Sequence, residues 1–428
     1  MGIGAVGFLV KKMEKNIAKH EKKCLSIFLS IFFILLYVVS CVSRNTPMYD
    51  YNDIYTSAYG YAYGGAVDWS YFSHWSNNFP IFFLLTTVMK FCSLLGIAEP
   101  FYVLLFLNCM LSVWTGYCLF GLVKGQTQSV GWGFYTLLLY VAFVPIWGGT
   151  NYFYTDSLSL SFGIWAAYIL YKHEKNIFSY IFAGFLWGIG YGIKATVAIS
   201  LVAVLMIYWL TASKNKLKVS IVTGIAFLCT VFMWSALRSG YPCYEDESKY
   251  GAPITYWLAL GIHNDGSYPG NIDFAVQCLE TPGKEAKNEL ACNYMKEHIS
   301  DLWSLEHITS KMQYNFASGK MGLSEFNQYP TTFMHELVND YGKYGGYATM
   351  FCSGYFYALL IWGLMGYAVV VWKKIRTDQD KLLMVCQYTV FGLFFFLMIW
   401  ESNNRQLYNH IGWFALYGSM GLYRIIKK

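Results

Sequence analysis

The apolar residues of this chain come in long runs that are separated by shorter polar stretches. Most runs are about 17–25 residues long, which is the length of helix that crosses a hydrocarbon core of ~30 Å. The runs cover residues 25–43, 79–96, 100–122, 129–148, 157–171, 178–193, 196–211, 219–236, 346–372, 381–400 and 407–423. Two long polar stretches, residues 44–78 and 237–345, interrupt the series. The pattern predicts an all-α polytopic membrane protein with about 10–11 transmembrane helices, a first outer loop and one large extracytoplasmic loop.

The composition agrees with a membrane protein and excludes a string of soluble domains. Of the 428 residues, 56% are apolar and 13% are charged, whereas an average soluble domain carries roughly 25% charged residues. The net charge of +6 arises from Lys and Arg clusters that lie beside the apolar runs. This placement is typical of cytoplasmic helix ends and argues against nucleic acid as a partner.

The basic clusters predict how the helices are oriented in a cell membrane. Positive residues collect on the cytoplasmic side, and here they lie in residues 11–23, 172–175, 214–218, 373–376 and 424–428. We therefore expect a multi-pass protein of the cell membrane with a cytoplasmic N-terminus. Both long polar stretches are then extracytoplasmic.

This orientation also predicts a domain organisation. The parts are a cytoplasmic segment (1–24), an N-terminal transmembrane module (25–236) that includes the outer loop 44–78, the large extracytoplasmic loop (237–345) and the C-terminal transmembrane helices (346–428). Eight runs precede the large loop, but an inside start and an outside loop require an odd number of crossings. We expect the run at 79–96 not to cross, because it is short and contains Lys90.

Polar residues that this orientation places on the outer face are candidates for a functional site. Charged groups at membrane depth are costly, so each is a functional hypothesis by default. The candidates are Asp53, Asn77, Asn78, Tyr154, Asp156, Lys194, Glu401 and Arg405. Ordinary alternatives exist, since Asp156 can cap a helix and Glu401 can pair with Arg405 four residues later. No His or Cys spacing in the sequence is typical of a metal site, so we predict no metal ligands.

Carboxylates, cations and aromatic rings on one membrane face suit a particular chemistry. A carboxylate can act as general base on an acceptor hydroxyl, and cations near it can hold and stabilise a departing phosphate. Aromatic rings offer flat apolar surfaces to sugar rings and to a polyprenyl chain. A transferase that takes a sugar from a lipid-phosphate carrier needs all of these groups at the outer interface.

Short motifs at these positions occur in a consistent order along the chain. They are Asn52-Asp53-Ile54-Tyr55, Ser76-Asn77-Asn78-Phe79-Pro80, Tyr154-Thr155-Asp156-Ser157-Leu158-Ser159-Leu160, Ile193-Lys194-Ala195-Thr196, Pro253-Ile254-Thr255-Tyr256-Trp257 and Glu401-Ser402-Asn403-Asn404-Arg405-Gln406-Leu407. The set resembles the C-type (GT-C) integral-membrane glycosyltransferases. Within them it resembles the bacterial members related to the protein O-mannosyltransferases, which are similar to glycosyltransferase family 39.

The resemblance implies a GT-C-like fold and an inverting sugar transfer from a polyprenyl-phosphate donor. The acceptor would be an extracytoplasmic glycan or a teichoic-acid-like polymer, and the bilayer is the third partner. Asp53 would be the catalytic base, and Lys194 and Arg405 would face the donor phosphate. The substrate-binding set would be completed by Asp156, Glu401, Asn77, Asn78 and Tyr154. No cofactor is required by this assignment, and a divalent cation is left open.

Two other functions fit the same sequence features. A lipid-linked sugar flippase or transporter would use the same charged groove without a catalytic carboxylate. Transporters often contain inverted repeats, and we find no such symmetry in this sequence. A non-catalytic scaffold is the other alternative, and it predicts that the Asp positions tolerate substitution.

Overall fold

The computed structural model describes residues 3–173, 176–211, 215–328, 332–372 and 380–427. These residues fold into helices with no β-strand among them, which confirms the all-α prediction. The α-helices, numbered in chain order, are α1 (Ile3–Ile17), α2 (Glu21–Val42), α3 (Tyr49–Tyr63), α4 (Trp69–His74), α5 (Phe79–Leu94), α6 (Phe101–Thr127), α7 (Val130–Val141), α8 (Val144–Gly149), α9 (Thr155–Ser159), α10 (Phe162–Lys172), α11 (Ile177–Ile193), α12 (Ala198–Leu210), α13 (Lys216–Arg238), α14 (Cys243–Tyr250), α15 (Ile254–Gly261), α16 (Ile272–Glu280), α17 (Lys284–His298), α18 (Leu305–Phe316), α19 (Leu323–Phe326), α20 (Phe333–Val338), α21 (Gly345–Trp372), α22 (Lys381–Ile399) and α23 (Ile411–Ile426).

Several of these helices suit a multi-pass membrane protein. Among the described residues, five helical stretches are long and apolar enough to cross a bilayer. They are Gly4–Val42, Phe101–Thr127, Lys216–Arg238, Gly345–Trp372 and Lys381–Ile399. Shorter apolar helices include Val130–Val141, Ile177–Ile193 and Ala195–Leu210. Part of the basic clusters used to predict orientation lies outside the described residues, namely Lys175, Lys214, Lys373, Lys374, Arg376 and Lys428.

The predicted run at 129–148 is divided in the structure. It forms α7 and α8, and the break falls at Ala142 and Phe143. Pro145 lies in the first turn of α8, where its missing N–H costs no helical hydrogen bond. A proline inside one continuous helix would remove such a bond, so the sequence favours a new helix start here.

The outer faces of the long helices are apolar. On α2 the large apolar side chains that are exposed recur mostly at three- and four-residue intervals, and they are Ile27, Ile31, Ile34, Leu35, Val38 and Val42. An exposed stripe on α13 consists of Leu217, Ile221, Ile225, Leu228 and Phe232. Rows of aliphatic side chains facing outward are costly in water and are expected where a helix faces lipid.

Helix α23 lies at the centre of the bundle. Every residue from Ile411 to Tyr423 is buried. Its closest neighbour is α21, and glycines allow their backbones to approach. A Cβ atom added to Gly366 would lie 2.4 Å from the Cα atom of Gly421. Small residues at such crossings are typical of helices packed within a membrane.

The large polar stretch 237–345 is itself helical, and we call it the polar insert. It contains α14 to α20, and a small core of its own includes Tyr256, Phe274 and Ala291. The insert contacts the turn between α22 and α23 directly. The ammonium group of the buried Lys311 donates hydrogen bonds to the carbonyls of Gly261 (2.5 Å) and Trp400 (2.7 Å). The turn that carries Glu401 is therefore fixed by the insert.

Candidate functional site

A buried ion-pair cluster joins three segments that are distant in the sequence. The carboxylate of Asp156 is fully buried, and its Oδ1 lies 2.6 Å from Nζ of Lys194. Its Oδ2 lies 3.8 Å from Nε of Arg405. Asp156 belongs to the first turn of α9, whereas Lys194 directly follows α11 and Arg405 lies in the 3₁₀ turn Asn404–His410. One carboxylate thus contacts both cations and balances one of their two positive charges; enclosed cations require such a partner.

The loops that carry the two cations are held together by a hydrogen bond between neutral side chains. Nδ2 of Asn409 donates to Oγ1 of Thr196 at 2.8 Å, and both residues are buried. Thr196 lies two residues after Lys194, and Asn409 lies one helical turn after Arg405. This contact fixes the spacing of the two cations independently of their charges.

Arg405 also contacts Glu325 and Tyr154. Its Nε lies 3.6 Å from Oε2 of Glu325, which belongs to α19 of the polar insert. The guanidinium carbon lies 5.2 Å from the ring centre of Tyr154, within the range of a cation–π contact. Arg405 therefore links the insert to the start of α9.

The first turns of α3 bring a pair of carboxylates to this cluster. The Tyr154 hydroxyl donates to Oδ2 of Asp50 at 3.2 Å. Asp53 follows one turn later, so both carboxylates share one face of the helix. Burial raises the pKa of the Asp53 carboxyl, and the neighbouring Asp50 carboxylate raises it further. The Asp53 carboxyl therefore holds its proton more tightly than an isolated carboxyl would.

The two neighbouring asparagines, Asn77 and Asn78, differ in exposure and in their contacts. Asn78 is buried, and its Nδ2 donates to the hydroxyl of Tyr71 at 2.7 Å. The charge of Asp50 acts on that same hydroxyl. Asn77 is exposed, and its amide donates to Oδ1 of Asn78 at 3.2 Å. Asn78 therefore orients Tyr71 toward the α3 carboxylates, while Asn77 is accessible to a ligand.

Glu401 is partly enclosed beside the cluster and has an unusual acidity. Burial raises the pKa of its carboxyl to about 7, although Arg405 and Lys194 act in the opposite direction. The carboxylates of Asp50 and Glu325 raise this pKa as well. The backbone carbonyl of Glu401 accepts a hydrogen bond from Nε2 of Gln406 at 3.1 Å, which closes the turn.

The polar insert covers this turn through a glycine loop. The carbonyl of Gly266 accepts a hydrogen bond from the backbone N–H of Ser402 at 2.7 Å. Gly266 has a φ angle of +74°, and an added Cβ would lie 2.8 Å from Nζ of Lys311 and from Oγ of Ser402. A larger residue is therefore excluded both by backbone strain and by space.

The charged side chains of the site pair with residues that are distant in the sequence. Lys194, which directly follows α11, pairs with Asp156. Glu401 and Arg405 do not form the i,i+4 ion pair within the described residues, because Arg405 contacts Asp156 and Glu325 instead. Tyr154 occupies the N-cap position of α9, and Asp156 lies in the first turn, where the helix dipole also favours a carboxylate. The ion pairs of Lys194 and Arg405 thus connect segments that are far apart in the sequence.

The structure adds residues to the predicted site. Asp50 could have been found, because it lies one helical turn before Asp53. No pattern in the sequence indicated Glu325 as a site residue, because it reaches Arg405 only when the polar insert folds. Groups that could bind a metal ion converge elsewhere in the described structure, at His263, His298 and Asp301 of the insert.

A large cavity lies at the opposite end of the bundle. Its volume is about 1440 Å³, and it is bounded by parts of α2, α6, α10, α12 and α22. Its lining includes apolar residues such as Leu29 and Val113 and the basic residues Lys22, Lys124 and Lys172. None of the eight predicted site residues, all of them described, is among the lining residues.

Comparison with known proteins adds no family to this geometry. No protein-family model matches the chain, and no curated protein or solved structure matches it.

The acidity of Glu401 predicts a pH-dependent stability. An unfolded Glu has a pKa of about 4.3, whereas burial raises the folded pKa of Glu401 to about 7. The folded protein therefore binds this proton more tightly than the unfolded chain does, and protonation of Glu401 stabilises the fold. This stabilisation is complete below the pKa of the unfolded state and is lost as the pH rises through the pKa of the folded state. We expect the free energy of unfolding to fall by roughly 1 kcal/mol between about pH 6 and pH 8 through this group alone.

Glu401→Gln tests this assignment, since the amide keeps the shape of the side chain and does not titrate. Melting temperatures of the purified proteins in detergent should show a smaller pH slope for Glu401→Gln than for wild type. Glu289→Gln, on α17 of the insert, is the control and should keep the wild-type slope. Identical slopes for wild type and Glu401→Gln would assign the pH dependence to another group.

Proposed function

We propose that this protein is a C-type membrane glycosyltransferase, which moves a sugar from a polyprenyl-phosphate donor to an extracytoplasmic acceptor. The observation that carries the proposal is the buried Asp156, which pairs with both Lys194 and Arg405. Asp50 is linked to this cluster through Tyr154, and Asp53 lies one helical turn from Asp50. Positioned cations near a carboxylate meet the needs of phosphate-linked sugar transfer.

Lys194 and Arg405 are the proposed ligands of the donor phosphate. Asp156 balances one positive charge, and Glu325, whose side chain is 43% exposed, faces the other. A phosphodiester with one negative charge can replace Glu325 beside Arg405 and leave the local charge count unchanged. The planar guanidinium can then bind two phosphate oxygens, while the ammonium group of Lys194 acts as a point charge.

Asp53 is the proposed general base. The carboxylate of Asp50 accepts a hydrogen bond from Tyr154 of the cluster, and Asp53 carries the second carboxylate on the same face of α3. The raised pKa of Asp53 makes its carboxylate a stronger base. In the proposed step, Asp53 takes the hydroxyl proton while the hydroxyl oxygen bonds to the anomeric carbon. The bond from that carbon to the phosphate oxygen breaks, so the configuration inverts and polyprenyl phosphate leaves.

One exposed polar side chain near the α3 carboxylates suits a glycan substrate. The amide of Asn77 is exposed and can bond to sugar hydroxyls. The buried rings of Tyr152 and Phe326, whose centres lie 4.5 Å apart, support the cluster from within. We propose that this face is extracytoplasmic and that the acceptor is a cell-surface glycan or a teichoic-acid-like polymer.

A lipid-linked sugar flippase is the second candidate, and the large cavity favours it. A flippase needs a binding space at the end of the bundle opposite the site, and the cavity of about 1440 Å³ offers apolar walls and lysine side chains there. A flippase function predicts no sugar transfer. The α3 carboxylates and the paired cations give the transferase the stronger support.

The proposal is tested by transfer from a panel of donors. Purified protein is incubated with polyprenyl phosphates that carry mannose, glucose, galactose or N-acetylglucosamine, together with cell-wall glycan and teichoic-acid acceptors. Mass spectrometry should detect at least one glycosylated acceptor with a single added sugar. Intact donors after prolonged incubation with every acceptor would contradict the proposed activity.

The role of Lys194 predicts a difference between two substitutions. Lys194→Arg keeps a cation beside Asp156 and phosphate, whereas Lys194→Met removes it. A hydrogen bond to a charged group contributes ~1.5–3 kcal/mol, so we expect the apparent donor affinity of Lys194→Met to fall roughly 10–100-fold. The apparent donor affinity of Lys194→Arg should fall less than that of Lys194→Met. Equal donor affinity in wild type and Lys194→Met would end this assignment.

A further inference from the structure

Three metal-ligating side chains of the polar insert lie together, away from the proposed site. His263 follows α15, His298 is the last residue of α17, and Asp301 lies in the 3₁₀ turn Ile299–Trp303. Nδ1 of His263 lies 2.6 Å from Oδ2 of Asp301, and Nδ1 of His298 lies 3.4 Å from the same oxygen. The ligating atoms of all three residues lie within 4.8 Å of one another.

We propose that His263, His298 and Asp301 bind a divalent transition-metal ion, for which Zn²⁺ is the best-suited candidate. The inference does not depend on the proposed glycosyltransferase activity. Two imidazole nitrogens and one carboxylate oxygen are a ligand set typical of Zn²⁺, with water in the fourth position. Ca²⁺ and Mg²⁺ fit less well, because these ions prefer oxygen ligands throughout.

The distances between the side chains agree with such a site. Metal–ligand bonds of ~2.0–2.2 Å in a tetrahedron place the ligand atoms about 3.3 Å apart. The separation of 3.4 Å between His298 and Asp301 already has this value. His263, which is hydrogen-bonded to Asp301 at 2.6 Å, has to retreat by only a fraction of an ångström. Side-chain exposures of 27% for His263, 29% for His298 and 35% for Asp301 leave room for the ion to enter and for a water ligand.

The neighbouring Tyr294 helps to hold the two imidazoles in place. Its ring centre lies 4.4 Å from that of His298 and 5.9 Å from that of His263. The two imidazole rings lie 3.9 Å apart at an interplanar angle of 35°. The contacts with Tyr294 and between the two rings therefore keep both imidazoles beside Asp301, where one ion can be shared by all three side chains.

The consequence of metal binding lies in the loop that follows His263. Three residues later, the carbonyl of Gly266 accepts the hydrogen bond from Ser402, next to Glu401. A metal ion would tie the start of this loop to the end of α17. A bound ion would therefore fix the part of the insert that covers the turn of the candidate site.

The test uses the full-length protein, purified without a polyhistidine tag and treated with a chelator. Zn²⁺ titration in competition with a chromophoric chelator should give one tight equivalent, and added Zn²⁺ should raise the melting temperature. His263→Gln, His298→Gln and Asp301→Asn should each weaken binding at least tenfold and remove the thermal shift. His74→Gln, a histidine outside the cluster, is the matched control and should bind like wild type.

Co²⁺ distinguishes this site from the free cysteines of the chain. The proposed ligands predict a Co²⁺ spectrum without a thiolate charge-transfer band, and this spectrum should be lost in the double variant His263→Gln/His298→Gln. A thiolate band, or unchanged Zn²⁺ binding in the double variant, would overturn the assignment. Absence of tight Zn²⁺ binding to the wild-type protein would also overturn it, and glycosyl transfer would not be affected by that outcome.

Discussion

Asp53→Asn should reduce sugar transfer by about 10²–10⁴-fold, the usual contribution of a general base. The amide keeps the size and shape of the side chain but cannot take a proton from an acceptor hydroxyl. Binding of the donor should change little, because the proposed phosphate ligands are Lys194 and Arg405. The measurement is the initial rate of transfer, with donor binding and melting temperature recorded on the same preparations.

Two other aspartates serve as comparisons for Asp53. Asp68 caps α4 by accepting hydrogen bonds from the backbone N–H groups of Ser70 and Tyr71. Asn is also a good N-cap, so Asp68→Asn should keep nearly all transfer. Asp50→Asn should lose activity less than Asp53→Asn, since the Asn oxygen can still accept from Tyr154. Wild-type transfer by Asp53→Asn, with a severe loss in Asp50→Asn, would move the base to Asp50.

Asp156→Asn should be among the most destabilising single substitutions in the described part of the chain. Removing the charge leaves Lys194 and Arg405 enclosed beside a neutral amide. Breaking a buried ion pair in this way typically costs ~3–5 kcal/mol, because the remaining charge is uncompensated. A fall of several degrees in the melting temperature of the purified protein is the expected result.

A second variant separates the charge effect from a packing effect. Asp156→Asn combined with Lys194→Met removes one uncompensated cation and should recover part of the lost stability. The exposed Asp246, which lies 4.0 Å from Lys249, provides the surface control, and Asp246→Asn should change stability by less than ~1 kcal/mol. A melting temperature of Asp156→Asn equal to that of wild type would show that the ion-pair cluster contributes little to the free energy of unfolding.

The apolar runs of the sequence located the helices well. The run at 25–43 corresponds to α2, and the run at 346–372 to α21, because an apolar stretch in a bilayer must satisfy its own backbone as a helix. Local rules also explain the division of the run at 129–148, where Pro145 begins a new helix. Nothing in the apolar pattern predicted that α23 is buried on all sides.

The contacts within the site were much harder to predict. Asp156, Lys194 and Arg405 could be named from their types and from the motifs around them, but not their pairing. Glu325 reaches Arg405 only because the polar insert folds against the bundle, and single-sequence patterns contain no such information. The sequence did not indicate the proposed metal site for the same reason, since His263 lies far in the sequence from His298 and Asp301.

The central claim is tested most directly by the fate of the donor. Wild-type protein and Asp53→Asn are reconstituted in vesicles with each donor of the panel, labelled separately in the sugar and in the lipid, and supplied with acceptor. The proposal predicts that wild type releases one polyprenyl phosphate for every sugar that becomes bonded to acceptor, and that Asp53→Asn releases almost none. Movement of intact donor between the leaflets, with the sugar still bonded to its phosphate and no acceptor modified, would contradict the claim and identify a flippase.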